Sequence, residues 1–198
     1  MKEKIFSSLK FLLMMTILTG VIYPLFITLI AQLFFSEKAN GSLYYKDDEV
    51  KGSFLLGQNF SDSIYFHSRP SAINYNPMPS GASNLGLTSK LLLQQFEERK
   101  IQFVSVNSLD SAQQIPSEML FASASGVDPH ISKQAAYLQI PRIIRTRNLD
   151  DEITNQIIKL VDENTERPEL GFLGVERVNV LKLNISLDNL DNKWKIQN

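Results

Sequence analysis

The sequence predicts an α+β protein: one N-terminal transmembrane helix, then a compact mixed α/β extracytoplasmic domain with a small sheet and about three helices. Three observations predict it. Phe11 to Phe35 is a run of 25 residues without a charged side chain. Residues 36–198 alternate helix-period and strand-period segments separated by Gly, Pro, Asn and Ser. The residues before the apolar run are more basic than those after it.

The apolar run comes first. At about 1.5 Å per residue it is long enough for a hydrocarbon core of about 30 Å. It exceeds the ~7–15 apolar residues of a signal peptide, and its exit, Ala31-Gln32-Leu33-Phe34-Phe35, lacks a small-x-small cleavage site, so an uncleaved anchor is expected. Pro24 lies mid-span and predicts a kink. Thr16 and Gly20, one turn apart beside Tyr23, would let another helix approach closely, although Gly and Pro are common in membrane helices generally. Lys2, Lys4 and Lys10 precede the span, while Lys38 and Lys46 follow it among acidic residues, which favours a cytoplasmic N-terminus. The expected organisation is a leader over 1–10, the span over 11–35 and an extracytoplasmic domain over 36–198. Without Lys2, Lys4, Lys10 and Glu3, that domain holds 17 basic and 20 acidic residues.

Within the domain, Ala39-Asn40-Gly41-Ser42 reads as a turn and Asp47-Asp48-Glu49 as a solvated acidic run. Phe54-Leu55-Leu56 and Ile64-Tyr65-Phe66 read as short strands. Residues 67–86 form a long irregular segment of the kind that more often carries function than filler. A helix is expected over about Leu87–Phe103, with Leu87, Leu91, Leu92 and Phe96 on its apolar face. Asp128-Pro129 reads as an N-cap and first helical position, with the helix running to Gln139 and broken or kinked at Pro141. Asn148 suits a left-handed stop, and Asp150-Asp151-Glu152 opens a helix whose apolar face is Ile153, Ile157, Leu160 and Val161. Arg177 to Leu187 alternates as a strand, with a bulge near Val180-Leu181.

Composition excludes several chemistries. With no cysteine there is no disulfide, thiolate metal site or Cys nucleophile. A net charge of -1 argues against a nucleic-acid surface. Neither Gly-x-x-x-x-Gly-Lys-Ser/Thr nor Gly-x-Gly-x-x-Gly occurs, and His67 and His130 lack metal-ligand spacing, so no metal site is expected. Ser123, Ser125, Asp128 and His130 could make a serine hydrolase, yet they crowd into eight residues, whereas triad members converge from separate elements. The same loop could present backbone N–H groups to a phosphate or carboxylate, with Asp128 competing for them, or could simply be a tight capped turn. Arg69 would pair with a ligand anion or an internal carboxylate. Arg142, Arg145 and Arg147 read as a solvated face open to an acidic partner. The Asn-x-Ser triplets at Asn40, Asn59 and Asn184 occur by chance often enough to carry little.

Ordered blocks along the chain resemble the KdpC family, the C subunit of the bacterial Kdp potassium-transporting P-type ATPase. They are Tyr23-Pro24-Leu25; Gly52 to Phe60, with Gly57 and Gln58; Tyr65 to Ala72, with Arg69, Pro70 and Ser71; and Ser80 to Gly86, with Ser83 and Asn84. Then come Ser123 to Ser132, with Asp128 and Pro129; Gln139 to Arg142; Gly171 to Gly174; and Arg177 to Leu181, with Asn179. Ala82 and Val127 depart from the Gly and Leu expected there, which puts a glycine turn at 82 in question. The resemblance implies a non-catalytic subunit, single-pass in the bacterial inner membrane, of a pump importing potassium at high affinity. It would stabilise the complex and act as a catalytic chaperone raising the ATP affinity of the hydrolysing subunit. Implied partners are a channel-like potassium-binding subunit, the P-type ATPase subunit, a small membrane subunit and the lipid bilayer. It implies no cofactor of its own, ATP and potassium being handled by the complex. Gln139, Ser125, Gly126 and His130 are the nucleotide-contact candidates on that reading. ATP is cytoplasmic and the predicted domain is not, so a direct contact requires the opposite orientation and an indirect one passes through membrane helices. A single span cannot form a transport path, and the Asp-Lys-Thr-Gly phosphorylation motif is absent. The rival reading is a membrane-anchored serine hydrolase.

Overall fold

The computed structural model describes residues 2–197. Its contacts divide it into two compact units, Met1–Leu43 and Tyr44–Asn198.

The first unit is dominated by one helical rod, Lys2–Phe34. It comprises α1 (Lys2–Ile17), a π-helical turn (Leu18–Ile22) and α2 (Tyr23–Phe34). No residue of it is buried, and it is long and apolar enough to cross a membrane. The π turn explains how Pro24 is tolerated. Proline lacks an N–H and its ring crowds the carbonyl four residues back, here that of Gly20. The wider turn relieves that crowding, and the N–H of Tyr23 bonds to the carbonyl of Leu18, five residues back. A short helix α3 (Ser36–Ala39) and the turn at Asn40-Gly41 close the unit.

From the last residue of the first unit the chain enters a hairpin of β1 (Leu43–Lys46) and β2 (Glu49–Ser53). Asp47 and Asp48 turn it with φ of 56° and 61°, the paired positive values of a tight hairpin turn. The strand therefore precedes Phe54-Leu55-Leu56, which forms a turn. Residues 57–89 carry no helix or strand. α4 (Lys90–Asn107) starts three residues later than its apolar pattern suggested, because the Ser89 hydroxyl caps it by accepting the N–H of Leu92. Leu87 and Leu91 are exposed, and Phe103 and Asn107 are the buried residues of this helix.

Asp128-Pro129 does not open a helix. β3 (His130–Ile131) follows it, and Ser132 caps α5 (Lys133–Tyr137) by accepting the N–H of Ala135. Pro141 sits in the first turn of α6 (Ile140–Arg147), so it begins a new helix. Asn148 is left-handed at φ 52°, as its sequence suggests, and α7 (Asp151–Glu163) follows Asp150. Ile153, Ile157 and Val161 of α7 are fully buried. β4 (Thr165–Glu166) and β5 (Arg177–Asn179) complete a three-stranded antiparallel sheet of order β3-β5-β4.

The expected strand over Arg177–Leu187 stops at Asn179, and α8 (Val180–Gln197) takes over. The Asn179 side chain accepts the N–H of Lys182, which is N-cap geometry. Val180, Leu183, Asn184, Leu187 and Asp191 are buried at helical spacing. Leu183 and Leu187 fit a period of two as well as one of 3.6, and packing decided between them. The core joins α5, α6, α7, α8 and the sheet, with Phe66 and Phe103 entering from the loop and α4. Among its described residues this unit holds five α-helices and a 3-10 turn (Ser117–Met119), where about three helices were expected.

Leu183→Ala should cost about 2–5 kcal/mol as a cavity in this core, whereas Ile185→Ala, half-buried, should cost less. Thermal unfolding of the pair tests whether residues 180–187 form a helix or an alternating strand.

Candidate functional site

Three of the family-motif residues, Gln58, Asp128 and Arg142, bond to the segment Ser63 to Ser71. Phe66 is wholly buried, as a strand residue would be, yet no strand lies beside it. Its backbone is served by side chains. Asn184 accepts the N–H of Phe66 at 2.8 Å and donates to its carbonyl at 3.0 Å. Gln139 accepts the N–H of His67 at 2.7 Å and donates to its carbonyl at 3.4 Å. Arg142 and Thr146 donate to the carbonyl of Ser63, and Arg147 to that of Ile64. Asn184, and the burial of the Arg142 and Arg147 side chains against this segment, are what the sequence reading did not anticipate. Polar residues at helical spacing on the apolar stripe of 180–191 are the signal that could have found Asn184.

Arg142 and Arg147 are therefore buried, and of the expected solvated cluster only Arg145 is exposed, bonding the Ser108 hydroxyl. Arg142 also donates to Asn107 and Gln139 at 2.9 Å. Burial, then repulsion from Arg145, holds it down at about 10. Arg147 pairs with Asp188 at 2.8 Å and Asp191 at 3.2 Å. His67 is pushed down to about 4, first by burial and then by the Arg142 charge, so it is neutral at pH 7.

Two residues further on, Arg69 meets Asp128 at 2.7 Å, and the Asp128 carboxylate also accepts the N–H of His130. Burial pushes Asp128 up, but bonds from the His130 ring, the His130 N–H and Arg69 outweigh it and bring it to about 2. Arg69 thus pairs internally, and Asp128 makes a local turn. Around this pair the loops meet closely. Ser71 donates to the carbonyl of Gly126, and Gly57 donates to that of Val127. A Cβ on Gly57 would stand 2.5 Å from the Asp128 carbonyl oxygen, and one on Gly126 (φ 72°) would stand 2.4 Å from Ile73, so both positions require glycine. The left-handed residue near position 82 is Asn84 (φ 50°), which leaves Ala82 unstrained.

The remaining candidates are placed as follows. Pro70 accepts the N–H of Ser123, Pro129 that of Val180, and Gln58 the hydroxyl of Ser68. Asn179 donates to the carbonyl of Phe54. Ser83 and Asn84 are exposed, and among the described residues no hydrogen bond ties them to the cluster. Tyr23 and Pro24 lie in the helical rod. Gln139 is wholly buried with its amide used on both sides, so it has no free face for a ligand. Ser125 is exposed and His130 half-buried; His130 lines a cleft of about 290 Å³ with Arg69, Asp128, Glu118 and Arg177. Ser123 is buried, and among the described residues no hydrogen bond joins either serine to His130, so no nucleophile–base pair is assembled. Nor do the described residues hold a group of three or more His, Asp or Glu that could bind a metal.

The family described as K+-transporting ATPase, c chain (KdpC), matches residues 5–189. A curated potassium-transporting ATPase KdpC subunit from Serratia proteamaculans is 46% identical over 186 residues, 92% of this chain and 96% of the relative. Those of Caldanaerobacter subterraneus subsp. tengcongensis and Mycobacterium tuberculosis are 41% and 40% identical, covering 94% and 96% of this chain and 95% and 100% of theirs.

His67 and Asp128 give stability two steps on the acid side of its pH profile. A depressed His67 favours the neutral form, so its contribution is complete above about pH 6.5 and is lost as pH falls toward about 4. That of Asp128 is complete above about pH 4 and is lost as pH falls through about 2. Asp128→Asn should cost about 1–2 kcal/mol at pH 7 and remove the lower step, and His67→Gln should flatten the upper one. Urea unfolding between pH 2 and 8 measures both.

Proposed function

The chain belongs to the KdpC family of potassium-transporting ATPase subunits, and we propose that it serves there as a non-catalytic accessory subunit that stabilises the complex. The observation that carries this reading is the division of the chain into a bare apolar helix and a separate compact unit. The helix anchors the subunit in the bilayer with its N-terminus in the cytoplasm, and its Pro24 π turn and small-residue face meet a neighbouring membrane helix. Residues 36–198 lie outside the cytoplasm and cap the mouth of the channel-like potassium-binding subunit. The net acidic charge of that segment would not repel K+. ATP and potassium are handled by the P-type ATPase and channel-like subunits, with a small membrane subunit completing the assembly, and the chain carries no cofactor of its own.

A catalytic-chaperone role that raises ATP affinity belongs to the same reading. Ser125, Gly126 and His130, with Gln139 behind them, are the residues a directly bound nucleotide would meet if the unit faced the cytoplasm. With this unit outside the cytoplasm, the influence on ATP passes instead through the anchoring helix.

Removing residues 36–198 while keeping the helix should abolish high-affinity potassium uptake; unchanged uptake and assembly would overturn the accessory role. In the purified complex, Ser125→Ala with His130→Ala should leave the KM for ATP within about twofold if the helix transmits the effect. A rise of about tenfold or more in KM at unchanged kcat would assign the nucleotide contact to the loop.

A further inference from the structure

We propose that the cleft between α4 and the segment 61–75 is a binding site for a small organic monocarboxylate with an apolar body. This goes beyond the accessory-subunit role, which needs no ligand in this unit. The cleft encloses about 460 Å³, within the roughly 300–1,000 Å³ of small-molecule sites.

Charge selects the ligand. Arg99 of α4 lines the cleft, and no Asp or Glu does. Its guanidinium is half-buried and gives one N–H to the carbonyl of Leu120 at 3.0 Å and one to the Gln95 amide at 3.4 Å. That leaves donors of its five-N–H fork unused, and among the described residues no carboxylate pairs with it. Behind the wall, Arg142 donates to Asn107, another lining residue, at 2.9 Å and adds a second positive field. His67 lines the loop side as a neutral ring, since burial and then Arg142 push it down to about 4. The Asp62 carboxylate, felt by both His67 and Arg142, opposes this field but lies outside the lining. One arginine fork on the wall matches one planar carboxylate, whereas a polyphosphate would bring several charges to a single cation.

Pro70, Phe103, Val106 and Met119 supply the surface that receives the apolar body. The loop wall is held in shape. Asn74 and Tyr75 stand at φ 52° and 59°, a backbone state unfavourable for a bulky aromatic. Tyr75 is fixed there from both ends: its N–H bonds to the Ser71 hydroxyl at 2.9 Å, and its own hydroxyl donates to the carbonyl of Arg69 at 2.5 Å. A wall already fixed loses little entropy when a ligand enters.

The test titrates the full-length chain in lipid nanodiscs with 4-(trifluoromethyl)benzoate, reading the fluorine NMR signal against empty nanodiscs. Saturable binding is expected, about tenfold or more tighter than that of the uncharged 4-(trifluoromethyl)benzyl alcohol. Excess inorganic phosphate should not displace the benzoate. Arg99→Gln should weaken binding by about tenfold or more. Gln102→Trp, which fills the cleft from an exposed lining position on α4, should do the same while leaving Arg99 in place. Arg167→Gln, at an exposed arginine outside the cleft, should leave affinity within about twofold. The site is overturned by an absence of saturable binding, by equal binding of the alcohol, by displacement with phosphate, or by binding that survives either cleft variant.

Discussion

The segment Ser63 to His67, which sinks from an exposed Ser63 to a wholly buried Phe66, is the constraint around which the second unit is arranged. Buried N–H and carbonyl groups must be hydrogen-bonded, and each one left without a partner costs about 1–3 kcal/mol. A neighbouring strand would be the usual solution. Here the Asn184 and Gln139 amides each imitate a peptide group, and Arg142, Thr146 and Arg147 bond the preceding carbonyls. α6 and α8 therefore cannot shift independently, because both grip the same few residues. Arg69 follows directly in the chain, so the clamp also sets where the Arg69–Asp128 pair forms and how the loops at Gly57 and Gly126 meet.

Charge placement follows from the same clamp. Arg142 is buried against amide and carbonyl oxygens, while Arg147 is neutralised by Asp188 and Asp191 from α8. The field of Arg142 adds to burial in keeping His67 neutral, so that ring contributes no second buried cation. Most of the residues that carry the family resemblance thus hold loops and helices together. Their chemistry is saturated hydrogen bonds, internal ion pairs and glycines where backbones touch.

Where the chain's own local chemistry decides the outcome, the sequence is readable. The uncharged run forms a helix, Asn148 stops α6 in the left-handed conformation, and the anions at 150–152 open α7 with its Ile153, Ile157 and Val161 face. The site was legible only in part: Arg69 pairs with an internal carboxylate, one of its two expected options, whereas Asp128, read as a helix N-cap, accepts the His130 N–H in a turn instead. Its geometry was not. Ile64-Tyr65-Phe66 has a strand's burial without a strand's partner, and the Arg142 cluster reads as surface because nothing local reveals Ser63 and Asn107 above it.

The sequence by itself determined an apolar helix of membrane-spanning length, a family and the ends of several helices, because each rests on composition or on contacts within a few residues. Tertiary structure alone decided that residues 180–187 are helical, since Leu183 and Leu187 serve either period until Asn179 caps the turn and Asn184 finds Phe66. It also decided that two arginines lie inside the fold. Partners such as Asn107 with Arg142 and Asp191 with Arg147 stand 35 and 44 residues apart, and no local pattern encodes contacts at that range.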